Sequence, residues 1–472
     1  MYKKNTNIYM IGICGIAMGT LACMLKKKGF NVSGSDLNIY PPMSDMLNAW
    51  GININIGYNK NNVKNADLII IGNAVSRGNV EVEYVLNNGM PYLSMAGALY
   101  AFFLKDKDVI SVSGTHGKTT TSALIAHILE YSGYTPSFFI GGVLNDYDAN
   151  YKLGSGDYFV VEGDEYDSAF FEKIPKFILY RPHHLILTSL EFDHADIYNS
   201  IDEVELWFKR LVNIIPSNGK IVFSGEYPAL YKVAERSLSE HHSFGKDGCD
   251  FKNEFLGFSG DFSKLQISSK DYGDLKLETR LFGEYNFLNI TAAVSMALML
   301  GVNKLNIQRA VASFSGVKRR QELIYNSDKI KIFEDFAHHP TAIRSVIKGM
   351  RARYPNSCIW AIYEPRSATS RRNVFQNELS SSFKDADRVV IKSPYMLSSI
   401  PEKDRIDINE VLNIMIKKGM NARLFDHVDD IVNYVFEEIN IESENLVVIM
   451  SNGGFDDIYN KMSMQASDLV NL

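Results

Sequence analysis

Ser113-Gly114-Thr115-His116-Gly117-Lys118-Thr119-Thr120-Thr121 is the stretch whose reading decides the fold. It lies between an apolar run, Val109 to Val112, and an amphipathic one, Thr121 to Tyr131. A strand, a tight glycine turn and a helix in that order make a phosphate cradle, because backbone N–H groups of the turn and the helix N-terminus point at one anion. Lys118 adds a positive point charge, and Thr119 has the hydroxyl that such loops place on Mg²⁺. The longer pattern G-x-x-x-x-G-K-[ST] needs glycine where Val112 stands, so the chain carries the shorter G-x-x-G-K-T. The competing reading is a glycine turn with a surface lysine. The coincidence of turn, lysine and paired threonines at one strand–helix junction favours the nucleotide reading.

Working outward, 472 residues exceed what one hydrophobic core fills and predict about three domains. Hydrophobic residues at 46% and charged residues at 22% are ordinary for a soluble globular protein. A net charge of −6 argues against nucleic acid or an anionic membrane surface as partners, and is compatible with a locally basic anion pocket. Cys14, Cys23, Cys249 and Cys358 contain no C-x-x-C pair, which argues against a zinc ribbon and gives no disulfide framework. Reduced thiols in a cytoplasmic enzyme are the expectation. The apolar run after Lys3 and Lys4 breaks at Gly12 and Gly15 without a small-residue cleavage site, so no signal peptide is expected. No apolar stretch is long enough to span a bilayer.

Before the phosphate loop, apolar runs at Ile8 to Ile13, Phe30 to Ser33, Leu68 to Ile71 and Pro91 to Leu93 read as strands, with a helix from Met18 to Lys28 ending at Gly29. Alternating strands and helices predict a parallel sheet with helices on its faces. Lys105-Asp106-Lys107-Asp108 is a charged break. After it come strands at Tyr158 to Val161 and Leu185 to Leu187 and a helix at Asn286 to Leu300; residues 240 to 280, with Gly and Asp turns, read as inserted antiparallel hairpins. Beyond a second charged junction, Gly316 to Arg320, strands at Ile330 to Phe333, Ile359 to Tyr363, Arg388 to Ile391 and Leu446 to Met450 alternate with helical stretches. The expected class is α/β with three domains: 1–106 Rossmann-like, 107–316 P-loop ATPase-like with inserted antiparallel strands, and 317–472 Rossmann-like.

Four further constellations could carry chemistry. Gly12-Ile13-Cys14-Gly15 follows a strand and opens a helix, with Asp36 about 20 residues on, where a ribose-binding carboxylate would sit. The fingerprint G-x-G-x-x-G fails at Cys14, which argues against NAD, and a purely structural turn competes. Val161-Glu162-Gly163-Asp164-Glu165-Tyr166-Asp167 ends an apolar strand in carboxylates, the place where P-loop folds hold Mg²⁺; the bland alternative is a solvated acidic loop. Leu190-Glu191-Phe192-Asp193-His194-Ala195-Asp196 sits at the same rim, so His194 is a metal or phosphate candidate rather than only a structural histidine, whereas His183 and His184 lie before their strand and read as structural. In Asp335-Phe336-Ala337-His338-His339-Pro340, Pro340 can open a helix with both histidines at its mouth, and Lys318-Arg319-Arg320 brings cations to the junction.

In this order the motifs resemble those of the Mur ligase family, the ATP-dependent amide ligases of peptidoglycan synthesis. The family's G-T-x-G-K-T stands as Gly114 to Thr119, its E-x-D-E-x-D as Glu162 to Asp167, its D-H-x-D as Asp193 to Asp196, and its H-H-P as His338 to Pro340. Its adenine-contacting H-N-x-x-N stands as Tyr285 to Asn289, with Tyr285 in place of His. Two branches of the family take UDP-N-acetylmuramate: one adds L-alanine, the other reattaches the recycled tripeptide L-Ala-γ-D-Glu-meso-diaminopimelate. The chain resembles the second at Asn38 to Ser44, Gly72 to Ala74, Leu190 to Ile197, Glu364 to Ser367 and Met450 to Phe455.

The resemblance implies ATP and Mg²⁺ as cofactors. Gly114, Thr115, His116, Gly117, Lys118, Thr119, Thr120, Asn286, Asn289 and Asp335 would bind ATP. Thr119, Glu162 and His194 would hold the metal. Lys118, Glu162, His194, Arg319, Arg320 and His339 would be catalytic. The acceptor carboxylate would become an acyl phosphate, which the amine then attacks. Gly12, Gly15, Ser35 and Asp36 would hold the UDP group, and Arg366 and Asn452 the peptide, although a surface salt bridge accounts for Arg366 almost as well. Lys209 stands roughly where some members carry a carbamylated lysine and is left unassigned. The resemblance leaves monomer or homodimer undecided. Besides the tripeptide ligase, an alanine-adding ligase and a nucleotide-gated binding protein without ligase activity stay open.

Overall fold

The computed structural model describes residues 3–470 apart from 40, 42, 196 and 199. Tyr40 and Pro42, quoted above in the stretch 38–44, and Asp196 of the D-H-x-D motif therefore lie outside the described residues. Among the described residues, β1 (Asn7–Ile11), β2 (Asn31–Asp36), β3 (Asn53–Ile56), β4 (Leu68–Ile71) and β5 (Tyr92–Ser94) form an all-parallel sheet in the order β3-β2-β1-β4-β5. β4 is Leu-Ile-Ile-Ile, buried at every position, as a parallel strand covered on both faces must be. The strand order reverses between β1 and β4, so the turn leaving β1 at Gly12 opens at the switch point where such sheets receive ligands.

The second sheet contains β6 (Asp108–Ser113), β7 (Ser137–Leu144), β8 (Ala149–Lys152) and β9 (Tyr158–Gly163). A two-stranded ribbon, β10 (Asp167–Ala169) with β11 (Glu172–Pro175), stands apart from it. The sheet continues with β12 (His184–Leu187), β13 (Lys220–Ser224), β14 (Glu240–Gly245), β15 (Phe251–Ser259), β16 (Phe262–Ser269) and β17 (Leu275–Thr279), in the order β17-β16-β15-β14-β13-β12-β6-β9-β7-β8. β6 lies between parallel β12 and β9, so the loop after it, the acidic run after β9 and the histidine-bearing loop after β12 share one rim.

Two expectations are corrected here. The helix after the phosphate loop, Lys118–Tyr131, is not amphipathic: Thr119 to Leu129 are all buried, between the sheet and the helices Glu284–Met299 and Lys304–Ser313. A helix enclosed on every side has no polar face to show. Residues 240 to 280 are not wholly antiparallel either. The helix Pro228–Ala234 carries the chain over the sheet, so β14 arrives parallel to β13, and only β15 to β17 pair antiparallel.

The third sheet has β18 (Glu322–Asn326), β19 (Ile330–Asp335), β20 (Cys358–Tyr363), β21 (Arg388–Lys392), β22 (Asn421–Phe425) and β23 (Asn445–Met450), ordered β18-β19-β23-β20-β21-β22, with only β18 antiparallel. The sequence reading lacked β18 and β22, edge strands that are only partly buried. The α/β architecture of three units, with antiparallel strands added to the central sheet, is thus present. The lead-in to the third unit is stitched to the second: Lys318 N donates to Val143 O at 2.9 Å, Asn145 N to Gly316 O at 3.2 Å, and Asn145 Nδ2 to Ser315 O at 2.9 Å. No described helix is long and apolar enough to cross a membrane.

Candidate active site

The phosphate loop needs glycine at two places. Gly114 has φ +133°, and a Cβ there would lie 2.4 Å from Thr188 Oγ1. Gly117 has φ +81°, and its Cβ would lie 2.2 Å from Asn289 Oδ1. The exit of β12 pins the loop from the other side: His116 N donates to Ser189 Oγ at 2.7 Å and Thr188 Oγ1 donates to His116 O at 2.5 Å. The result is a tight glycine turn at the start of a buried helix, braced by Ser189 and Asn289.

Charge is arranged around Lys118. Its Nζ donates to Glu165 Oε2 at 2.7 Å, and His194 Nε2 contacts Glu165 Oε1 at 2.9 Å. Burial works against the lysine's charge, but Glu165, Asp164 and Glu162 outweigh it and hold its amine above the usual lysine range. Burial likewise opposes charge on His194, and the Glu165 bond overcomes it, raising the imidazole. His194 has φ +55°, an uncommon conformation for a residue with a side chain, imposed by the turn that presents it at the rim. Thr119 Oγ1 donates to Glu162 Oε1 at 3.0 Å, and Glu162 Oε2 accepts from Gly141 N at 2.8 Å.

The expected metal set therefore separates. Thr119 is paired with Glu162, whereas the ligand atoms of His194 lie within 4.8 Å of Asp164 and Glu165. The hydroxyl and carboxylate oxygens of Thr119 and Glu162 suit Mg²⁺, which prefers hard oxygen donors. Glu165 is the residue that sequence reasoning left out. It was visible only as one of several carboxylates after β9, and which of them faces Lys118 depends on the turn beyond Gly163.

The third unit contributes Arg320, whose Nη2 donates to Thr119 Oγ1 at 3.3 Å. Arg319, expected beside it, turns the other way: Nε meets Glu334 Oε1 at 2.5 Å, and Nη2 donates to Ser451 O and Gly453 O at 3.0 and 2.6 Å. Its φ of +63° aims it into its own sheet, so the two neighbours in the sequence serve different places. Asp335 is buried and accepts from Gln321 N and Ala337 N at 2.9 and 2.8 Å, bracing the turn after β19 beside the loop. Pro340 does open a helix, Pro340–Arg353, with His339 as its N-cap. Glu191, which the motif reading quoted without a role, meets both histidines: His116 Nε2 at 3.2 Å and His339 Nδ1 at 3.7 Å from Oε2. Burial opposes its ionisation, but the His116 bond and the surrounding donors hold its carboxyl at about 2.

Most of these groups line one cavity of about 1080 Å³ between the second and third units. Thr115 to Thr120, Glu162, His194, Asn286, Asn289, Arg320, Asp335 and His339 all border it, whereas Arg319 does not. Asn286 Nδ2 donates to Gln321 Oε1 at 2.8 Å, and Asn289 Nδ2 to Asn286 Oδ1 at 3.3 Å. Tyr285 packs against Gly349 of the third unit.

In the first unit the Gly12 turn is held by Asp36, whose Oδ2 accepts from Cys14 N at 2.9 Å, and Gly15 caps the helix Ile16–Lys27. Ser35 is fully buried: its hydroxyl donates to Glu81 Oε2 at 2.5 Å, and its backbone O accepts from Gly12 N at 2.9 Å. In the third unit Arg366 and Asn452 come together at the ends of β20 and β23. The Arg366 guanidinium lies 3.8 Å from the Tyr395 ring centre and 3.5 Å from buried Glu364, and the buried Asn452 Oδ1 lacks a partner. Lys209 pairs with Glu205 one turn away on its own helix, at 2.6 Å.

Three family profiles match in series: "Mur ligase family, catalytic domain" at residues 7–106, "Mur ligase middle domain" at 112–297, and "Mur ligase, glutamate ligase domain" at 319–453. The UDP-N-acetylmuramate–L-alanyl-γ-D-glutamyl-meso-2,6-diaminoheptandioate ligase of Escherichia coli is 36% identical over 96% of this chain and 97% of its own. The UDP-N-acetylmuramate–L-alanine ligase of Clostridium acetobutylicum is 30% identical over 92% of each. Among solved structures, a murein peptide ligase from Psychrobacter arcticus superposes with a TM-score of 0.72 at 33% identity, covering 98% of both chains. With its cradle, acidic rim and incoming arginine built on those three successive units, the chain belongs to the Mur ligase family, the ATP-dependent ligases that form amide bonds.

Proposed function

We propose that this chain joins UDP-N-acetylmuramate to the recycled tripeptide L-Ala-γ-D-Glu-meso-diaminopimelate, in the cytoplasm, through an acyl phosphate. The observation that carries the reading is the meeting of Lys118, Thr119 and Arg320, from two different units, around one cavity. The choice of amine is supported by the 36% identity to the tripeptide ligase against 30% to the alanine ligase. In this reading residues 1–106 hold the UDP group, 107–316 hold ATP, and 317–472 hold the peptide.

The chemical difficulty is that a carboxylate is a poor electrophile at neutral pH, and that its approach to a triphosphate brings two anions together. Phosphorylation of the lactyl carboxylate gives its carbon a leaving group, and the peptide amine then displaces phosphate. Lys118 and the loop backbone hold the terminal phosphates; to do so Lys118 exchanges Glu165 for a phosphate oxygen, a swap of one anionic partner for another. Arg320 lies where charge develops on the transferring group. Mg²⁺, held by Thr119 and Glu162 with His194 nearby, would screen the same charge. Glu165 keeps His194 oriented, and docking of the third unit keeps water from the acyl phosphate. Arg366, its planar fork fixed by Glu364 and Tyr395, and Asn452 suit a peptide carboxylate.

The test is ADP release from the full chain with UDP-N-acetylmuramate, ATP and Mg²⁺, adding either the tripeptide or L-alanine. The expected outcome is release with the tripeptide and little with alanine. Release restored by alanine instead would move the chain to the other branch, and ADP formation that needs no amine would reject ligation altogether.

A further inference from the structure

Beside the oxygen donors at Thr119 and Glu162 stands a chemically different group. His116 on the phosphate loop, Glu191 after β12 and His339 at the head of the helix Pro340–Arg353 bring one ligand atom each within 4.8 Å of one another. The individual separations are 3.2 Å from His116 Nε2 to Glu191 Oε2 and 3.7 Å from His339 Nδ1 to the same oxygen. Ligand atoms about 2.0–2.1 Å from a tetrahedral zinc ion stand about 3.3 Å apart, so small side-chain adjustments would close the trio on such an ion. Two imidazoles and one carboxylate are a donor set for a borderline-soft cation, not for Mg²⁺.

We propose that His116, Glu191 and His339 form an interdomain site for a divalent cation of the zinc class, complete only when the third unit is docked on the phosphate loop.

The support around the trio is that of a held ligand set. Glu191 is oriented by Tyr227 OH, donating to Oε1 at 3.1 Å, and by Thr341 Oγ1, donating to Oε2 at 2.9 Å. His116 is fixed through its backbone by Ser189 and Thr188. His339 is only 6% exposed; its Nε2 is buried without a hydrogen-bond partner, while its Nδ1 accepts from Thr341 N at 3.3 Å, a long cap bond that an ion on Nδ1 would replace. Three protein ligands leave a fourth position for water or a phosphate oxygen. A cation bound here ties the third unit to the loop and slows opening.

Cobalt and zinc themselves are the probes. The full chain, in excess Mg²⁺ and without nucleotide, is titrated with Co²⁺ and followed by visible absorption, and with Zn²⁺ against a chromophoric chelator. One equivalent of four-coordinate cobalt is expected. His339→Ala and, separately, Glu191→Gln should each weaken metal binding at least about tenfold, with far-UV circular dichroism confirming that each is folded. His194→Ala should leave the cobalt spectrum in place. A wild-type protein without a four-coordinate signal overturns the proposal. So does a signal lost in His194→Ala but kept in Glu191→Gln, which assigns the ion to the Asp164, Glu165 and His194 group. The measurement reads metal alone, so its result stands apart from whichever amine the ligase takes.

Discussion

The seam between the first and second units is filled with hydrocarbon, while the seam between the second and third joins one aromatic cluster, Phe282 with Phe333 and Tyr354, to a cavity lined with charge. At the first, Leu99, Phe102 and Phe103 join Val109, Phe139, Phe159, Val161 and Tyr180 in one continuous buried core. At the second, contacts run through Arg320 to Thr119, Thr341 to Glu191, Lys348 to Glu284, and Arg353 to Gly260 O, around a cavity of about 1080 Å³. Apolar area removed from water cannot be re-exposed cheaply, whereas polar contacts can be exchanged for water at little net cost. The first seam is therefore a fixed joint and the second a working one. In the proposed reaction both would serve: a UDP-sugar site held at constant distance from the phosphate loop, and a third unit that admits substrates and then closes.

The largest effect that sharpens this contrast is on stability, at the first seam. Phe159→Ala removes a fully buried ring from the shared core and is expected to cost about 3–5 kcal/mol, read as a fall in the urea midpoint. Turnover per folded molecule should stay near that of the wild type. If the midpoint held and turnover collapsed, the first seam would be a moving part.

The second seam should respond the other way. Arg320→Ala removes the hydrogen bond from the third unit to Thr119 and is expected to lower kcat roughly 10²–10³-fold, the range for losing a donor aimed at developing charge. Its urea midpoint should fall less than that of Phe159→Ala, since Arg320 stacks over Phe336 at 4.6 Å and faces buried Asp335 but fills no core. Arg319→Ala makes the comparison internal to one dipeptide. Arg319 is bound to Glu334, Ser451 and Gly453, so its loss should register first as destabilisation of the third unit. Equal kcat losses for the two arginines would erase the distinction the structure draws between them.

That pair marks where the sequence stopped being readable. Lys318-Arg319-Arg320 announces cations at a junction, but only the left-handed backbone at Arg319 decides which side chain faces which unit. Strands buried on both faces, such as β4 and β23, were legible because long apolar runs admit no other pairing. Edge strands β18 and β22 were not, because half-buried residues carry a weak pattern. The phosphate loop was legible because its glycines are demanded by local backbone geometry. Glu165 and Glu191 were not, because each owes its place to partners on other segments: Lys118 and His194 for one, His116 and Thr341 for the other. The bond from Ser35 to Glu81, 46 positions away, was not legible for the same reason.

The smallest effect belongs to the rim of the second seam. Lys348 on the third unit donates to Glu284 Oε2 at 2.9 Å, and Lys246 of the second unit bonds the same carboxylate through Oε1. Lys348 is 64% exposed and Glu284 41%, so solvent and salt screen the pair. Glu284 also retains Lys246 when Lys348 is removed, so no buried charge is stranded. Lys348→Ala is therefore expected to change stability by less than about 0.5 kcal/mol, and to raise KM for ATP less than about twofold, with the difference vanishing at high salt. A large, salt-resistant loss would mean that closure depends on this rim contact. The working joint would then be held by its edge and not by the groups gathered around the phosphate loop.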